Sequence, residues 1–100
     1  MINVKNNNLE LDNKKISLLK FGANWCGPCR ALEPTLELIE SDMPEINIYN
    51  VDIDLNKELT VQFGIRSVPA VFIIKDNEII DSFIGVKTKE DIENMIQRHI

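Results

Sequence analysis

Cys26 and Cys29 are the residues of this sequence best suited to chemistry, because they are its only cysteines and just Gly27 and Pro28 separate them. A disulfide between them closes a very short loop, which in the chain-entropy model contributes only about 2 kcal/mol to stability. The pair is therefore a poor structural staple. Its spacing is typical of thiols that are oxidised and reduced during function, and the sequence predicts a redox dithiol.

The two cysteines lie at the turn from a predicted strand into a predicted helix. Residues 16–21 form a mostly apolar run typical of a strand covered on both faces, and residues 28–41 keep a helical spacing of apolar side chains. Pro34 is expected to bend the axis of that helix. Residues 46–51 alternate between apolar and polar like a second strand, so a β-α-β unit is predicted over residues 16–51.

The start of this helix favours a thiolate at Cys26, since the first N–H groups of a helix are unpaired and carry partial positive charge. Cys26 is therefore the predicted nucleophile, which attacks the disulfide of a partner. Cys29, one helical turn further on, is the predicted resolving cysteine, which attacks the mixed disulfide at high effective concentration. Gly27 and Pro28 keep the turn narrow and set the geometry between the sulfurs.

The rest of the chain completes an α/β pattern. Its predicted elements are a weak strand near residues 2–5, a short helix over 55–63 capped by Asp54 or Asn56, strands over 71–74 and 79–84, and a final helix opened by Thr88 and Asp91. The two late strands flank Asp76-Asn77 and should form an antiparallel hairpin. A single domain over residues 1–100 is predicted, with a mixed sheet of four to five strands and helices on both faces.

Composition excludes several classes of function. The net charge of -5 comes without a cluster of Lys and Arg, which argues against a nucleic-acid partner. The first ten residues lack an apolar signal-like run, and no stretch approaches the roughly 18 apolar residues of a membrane span, so we expect a cytoplasmic protein. A zinc site is not expected, because only His99 is present to join the two cysteines.

Several ordered motifs resemble those of the thioredoxin family over nearly the whole chain. They are Phe21-x-Ala23-x-Trp25-Cys26-Gly27-Pro28-Cys29-Arg30, Val51-Asp52-Ile53-Asp54, Phe63-Gly64-Ile65-Arg66-Ser67-Val68-Pro69, and Gly85. The resemblance implies a thioredoxin fold and a monomeric protein-disulfide reductase that passes two electrons to protein disulfides without a bound cofactor. It also implies electrons from NADPH through a thioredoxin reductase, and the sequence does not exclude a ferredoxin-linked or other donor.

The same resemblance implies a substrate groove around an exposed Cys26 sulfur. It predicts a cis peptide at Val68-Pro69 facing the dithiol, and a low apolar surface formed by Trp25, Gly27, Pro28, Val68, Pro69, Ile84, Gly85 and Val86. An extended segment of a partner could lie there. Ordinary packing is an equal alternative for Ile84 and Val86, and a core position is a weaker alternative for Trp25.

Lys20 is the main departure from the family pattern. Thioredoxins usually carry a buried Asp six residues before the first cysteine, and the Lys that commonly partners it is replaced here by Asn50. Our hypothesis is that Lys20 tunes the pKa values of the thiols: a charged amine would favour a thiolate, and a neutral amine could accept a proton from Cys29. In the alternative, Lys20 reaches the sheet end or pairs with Asp52 or Asp54 and has no redox role.

The sequence fits two other functions as well. A thioredoxin-fold binding module would hold a partner in the groove without turnover, and a disulfide oxidase or isomerase would share the same cysteine spacing. Gly-Pro between the cysteines and the absence of an export signal favour reduction over oxidation. Retention of both cysteines favours catalysis over binding alone.

Overall fold

A mixed five-stranded sheet with helices on both faces forms the core of the computed structural model, which describes residues 1–13 and 15–100. The elements are β1 (Ile2–Asn3), β2 (Ile16–Gly22), α1 (Gly27–Asp42), β3 (Ile46–Asp52), α2 (Lys57–Gln62), β4 (Ala70–Lys75), β5 (Glu78–Ile84) and α3 (Lys89–Gln97). The sheet order is β1-β3-β2-β4-β5. The predicted fold class is therefore confirmed, with five strands.

The central strand β2 joins the two halves of the fold. It pairs in parallel with β3 and antiparallel with β4, as the β-α-β and β-β-α halves predict. The β4–β5 hairpin is antiparallel and turns through Asp76 and Asn77, whose φ angles are 53° and 63°. Asn and Asp tolerate this left-handed region better than most residues, which explains why they mark the turn.

The sheet is covered on both faces, and every residue of β2 is buried. Because successive strand residues point to opposite faces, Leu18 packs on one side with Leu32 of α1 and Ile92 of α3. Leu19 packs on the other side with Leu59 of α2. The same alternation places Lys20 and Gly22 on the α1 face.

Helix α1 begins directly after Cys26 and continues to Asp42, with Pro28 in its first turn and Pro34 inside it. Pro fits the first turn because the N–H it lacks would have no partner there. At Pro34 the backbone stays helical although one N–H is missing, and the bend in the axis stays a prediction.

The ends of the other elements differ in detail from the sequence predictions. The N-terminal strand is only Ile2–Asn3, followed by a bond from the Val4 N–H to Asn50 O, and residues 4–13 contain no helix. The side chain of Asn56, the N-cap of α2, makes no capping hydrogen bond to the helix. Its amide Nδ2 donates instead to the carbonyls of Val4 and Asp52. The cap of α3 is confirmed, with the Thr88 hydroxyl accepting from the next turn.

Candidate active site

Cys26 and Cys29 form a disulfide at the N-terminal end of α1, with their Cα atoms 5.3 Å apart. Cys26 is the N-cap of the helix, and its Sγ accepts the Cys29 N–H at 3.2 Å. An N–H aimed at a sulfur at the positive end of a helix stabilises negative charge on that sulfur. Cys26 therefore lies at the helix start, as the sequence predicts, and its role as the nucleophile stays a prediction.

The two cysteines are unequally buried. Cys26 is 5% exposed and Cys29 is 1% exposed, both packed with Ala23 and against Ile53 and Val68. The expectation of an exposed Cys26 sulfur is therefore wrong for this disulfide state, because the neighbouring segments cover most of it. Cys26 is nevertheless the more accessible of the pair.

The loop before β4 faces the dithiol. The Val68-Pro69 peptide bond is cis, as the family resemblance implies, and the Val68 carbonyl oxygen lies 3.8 Å from Cys26 Sγ. The carbonyl of Pro69 accepts the Gly85 N–H at 2.8 Å. This hydrogen bond links the end of β5 to the dithiol loop. Gly85 has a φ of 90°, a conformation that favours glycine.

The apolar side chains of the predicted groove lie on the surface. Trp25 is 67% exposed, Ile84 69% and Val86 53%, so the packing alternatives for these residues are not supported. Trp25 is held in place by its indole N–H, which donates to Asp54 at 2.9 Å. Gly27 and Pro28 are also exposed, whereas Val68 is half-buried and Pro69 is buried.

Lys20 lies on the inner side of the dithiol. Its side chain is 2% exposed, and its Nζ is 3.5 Å from Oε1 of Glu33 on α1. The alternative in which Lys20 pairs with Asp52 or Asp54 is therefore wrong: Glu33 is the ion-pair partner. Sequence reasoning missed Glu33, although its position four residues after Cys29 places both on one helix face.

Residues 1–13 and 15–100 contain no group of three or more His, Cys, Asp or Glu side chains arranged to hold a metal ion. His99 lies at the end of α3, with Nε2 3.6 Å from Asp81 of β5. Within the same described residues, no helix is both long and apolar enough to cross a membrane.

A dithiol at a helix N-terminus, faced by a cis-proline loop and an exposed apolar surface, defines a thiol–disulfide oxidoreductase. Comparison with known proteins agrees. The family model described as Thioredoxin matches residues 1–98. The chain belongs to the thioredoxin family.

Individual relatives agree in sequence and in structure. The chain is 38% identical over 84 residues to a thioredoxin of Listeria monocytogenes, covering 83% of this chain and 82% of that protein. It is 33% identical over 86 residues to one of Bacillus subtilis, covering 85% and 83%. The X-ray structure of Fasciola hepatica thioredoxin matches with a TM-score of 0.82 and 31% identity, over 88% of this chain and 84% of that one.

Proposed function

We propose that this oxidoreductase works as a protein-disulfide reductase, with Cys26 as the nucleophile and Cys29 as the resolving cysteine. The observation that carries the assignment is the Cys29 N–H directed at Cys26 Sγ at the start of α1. This arrangement favours the thiolate at Cys26 and gives the two sulfurs different roles. The greater exposure of Cys26 agrees with the order of attack.

The reaction proceeds in two exchanges. The Cys26 thiolate attacks one sulfur of the partner's disulfide, so that a mixed disulfide forms and the other partner sulfur leaves as a thiolate. The Cys29 thiolate then attacks Cys26 Sγ, the mixed disulfide breaks, and the second partner sulfur leaves. The partner gains two electrons and the Cys26–Cys29 disulfide remains, so no bound cofactor is needed.

The substrate is an extended segment of a disulfide-containing protein that lies across the proposed groove. The side chains of Trp25, Ile84 and Val86 are apolar and exposed, and we propose that they border the dithiol and contact the partner's side chains. Gly27 and Gly85 have no side chain, Pro28 has only a compact ring, and Val68-Pro69 brings main chain next to Cys26. We propose that this surface recognises the extended conformation of the substrate segment more than its amino-acid sequence.

Lys20 is proposed to act on the thiols from inside. The register pairs it directly with Asn50, so the two departures from the family pattern are neighbours in the sheet. A charged amine at this place favours the thiolate of Cys29, whose Sγ lies 3.2 Å from the place where a Cβ at Gly22 would stand. The effect would serve the resolving step.

The electrons are proposed to come from NADPH through a thioredoxin reductase, in the cytoplasm. A reductant of this kind has to be regenerated after each turnover, and a compartment whose thiol pool is reducing keeps it competent. The protein is proposed to act as a monomer that meets reductase and substrate in turn through the same groove.

The test of this function is the rate at which the protein accelerates reduction of insulin disulfides by excess dithiothreitol. We expect acceleration by the wild type and none by Cys26→Ser. A Cys26→Ser variant as active as the wild type, or a wild type without effect, would contradict the proposal. Parallel assays with NADPH and thioredoxin reductase in place of dithiothreitol test the electron source separately.

A further inference from the structure

The ion pair between Lys20 and Glu33 neither forms nor breaks a bond in the two exchange steps described above, in which only sulfur atoms react. Lys20 is 2% exposed at its side chain and Glu33 is 42% exposed, with 3.5 Å between Nζ and Oε1. A lysine buried this completely is costly unless it is paired. The pair therefore connects an interior amine to a carboxylate that reaches water.

Gly22 is the reason that the amine also approaches the dithiol. Lys20 and Gly22 lie on the same face of β2, toward α1, and a Cβ at Gly22 would stand 3.1 Å from Lys20 Nζ and 3.2 Å from Cys29 Sγ. The amine and the sulfur therefore lie at most about 6.3 Å apart, across the space that a side chain would fill. Buried Cys29 thus has a polar neighbour on its inner side.

A small polar cavity lies next to the amine. Its volume is about 30 Å³, and its lining includes Lys20, Glu33, Asn50 and Asp52. A cavity of this size holds about one water molecule when polar partners are present. Asn50 Oδ1 is buried without a hydrogen-bond partner among the described residues, which is the kind of acceptor that orders such a water.

We propose that Glu33, acting through Lys20, receives the proton that Cys29 loses in the resolving step. The inference rests on the function proposed above. The Cys29 thiol gives its proton to the Lys20 amine through a water in the space that Gly22 leaves between them, as the amine passes one of its own to the Glu33 carboxylate. Glu33 then releases a proton to solvent, while the sulfur's electron pair forms the bond to Cys26 Sγ and the partner's sulfur leaves.

Glu33 is better placed for this role than the other charged groups around the amine. Arg30 and Asp52 line the same cavity, but the Arg30 guanidinium has no accepting site. Asp52 Oδ1 accepts the Asp54 N–H at 2.8 Å, and within the described residues Asp52 makes no ion pair with Lys20. Glu33 makes the ion pair with Lys20, and it does not touch the sulfur, so it is a positioning residue.

Glu33→Gln separates this role from a purely electrostatic one, because the two roles predict opposite changes in the rate of the resolving step. If Glu33 acted only through its charge, its neutralisation would stabilise the Cys29 thiolate and make the resolving step faster. If Glu33 receives the proton, the same change removes the acceptor and makes the step slower. A purely structural role would change stability and leave the pH dependence of the step unaltered.

The experiment is a stopped-flow reaction of the reduced protein with the aromatic disulfide 5,5′-dithiobis(2-nitrobenzoate). Release of the first thiolate reports attack by Cys26, and release of the second reports resolution by Cys29. In Glu33→Gln we expect an unchanged first phase and a second phase at least about tenfold slower at neutral pH, because positioned proton transfer contributes about that much or more. The second phase should then rise in proportion to hydroxide.

Two variants serve as controls. Glu37→Gln makes the same change at an exposed position one turn further along α1, and both phases should match the wild type. Glu33→Asp keeps the carboxylate and should restore most of the second-phase rate. A second phase in Glu33→Gln that is unchanged or faster would overturn the inference. A wild type without a first phase would instead contradict the proposed function.

Discussion

Replacing Lys20 with Met tests whether the buried amine tunes the dithiol. The variant keeps an unbranched side chain of similar length in the strand and removes the charge that lies within about 6.3 Å of Cys29 Sγ. At an effective dielectric constant of 20, a unit charge at that distance stabilises a thiolate by about 2.6 kcal/mol. That energy corresponds to a factor of about 80 in the ratio of thiolate to thiol.

The nearby Glu33 carboxylate opposes this effect, so the expected change lies below the full value. We expect the thiolate-to-thiol ratio of Cys29 at a given pH to fall by roughly tenfold or more in Lys20→Met. The pKa of the Cys29 thiol is then higher in the variant. Its titration is isolated by placing the change in a Cys26→Ser background and following the ultraviolet absorbance of the thiolate against pH.

Lys57→Met is the matched control, because it removes the same charge from an exposed position at the start of α2. Stability provides a second check. Met in place of Lys20 leaves Glu33 half-exposed and able to bind water, so the free energy of unfolding should stay within about 1 kcal/mol of the wild type or rise. Coincident titration curves with and without Lys20→Met would refute the electrostatic reasoning.

Two predictions concern stability away from the dithiol. Leu36 is fully buried in the core between α1 and the sheet. Replacing it with Ala should lower the free energy of unfolding, measured with denaturant, by about 3–5 kcal/mol. A loss below about 1 kcal/mol would contradict the packing. Lys89, the first residue of α3, lies 2.7 Å from Asp42 at the end of α1 and 3.1 Å from Glu93. The hydrogen bond to Asp42 raises the pKa of Lys89 above 10.5, so its stabilisation is present below that pH and lost as pH rises through the folded value. The melting temperature of the wild type should therefore exceed that of Lys89→Met at neutral pH, and the two should converge in strong alkali. An equal difference at both pH values would show that the charge is not responsible.

The order of the main elements could be predicted from the sequence because its signals are local. The apolar run in β2, the alternation in β3, the Asp76-Asn77 turn and the Thr88 cap each depend on neighbours only a few residues away. Element ends were less well predicted, since pairing across the sheet decides them. The N-terminal strand, for example, is limited to the residues that pair with β3.

The candidate site divides in the same way. The placement of Cys26 at a helix start follows from a strand run, a Gly-Pro turn and a helical period, all of which can be seen in the sequence. The exposure of Trp25, Ile84 and Val86 could not be decided there, because an apolar side chain beside a turn suits a core and a groove equally well. Only the tertiary structure shows that all three side chains face water.

Sequence by itself determined the reactive pair and the scaffold that holds it, because strand and helix periods and cysteine spacing are properties of short segments. Tertiary structure alone decided what faces Lys20. That contact joins β2 to α1 and uses the space left by Gly22, so it depends on how a strand and a helix pack. Sequence spacing cannot give the distance between a buried amine and its partner, and in a low-dielectric interior that distance determines the strength of their interaction.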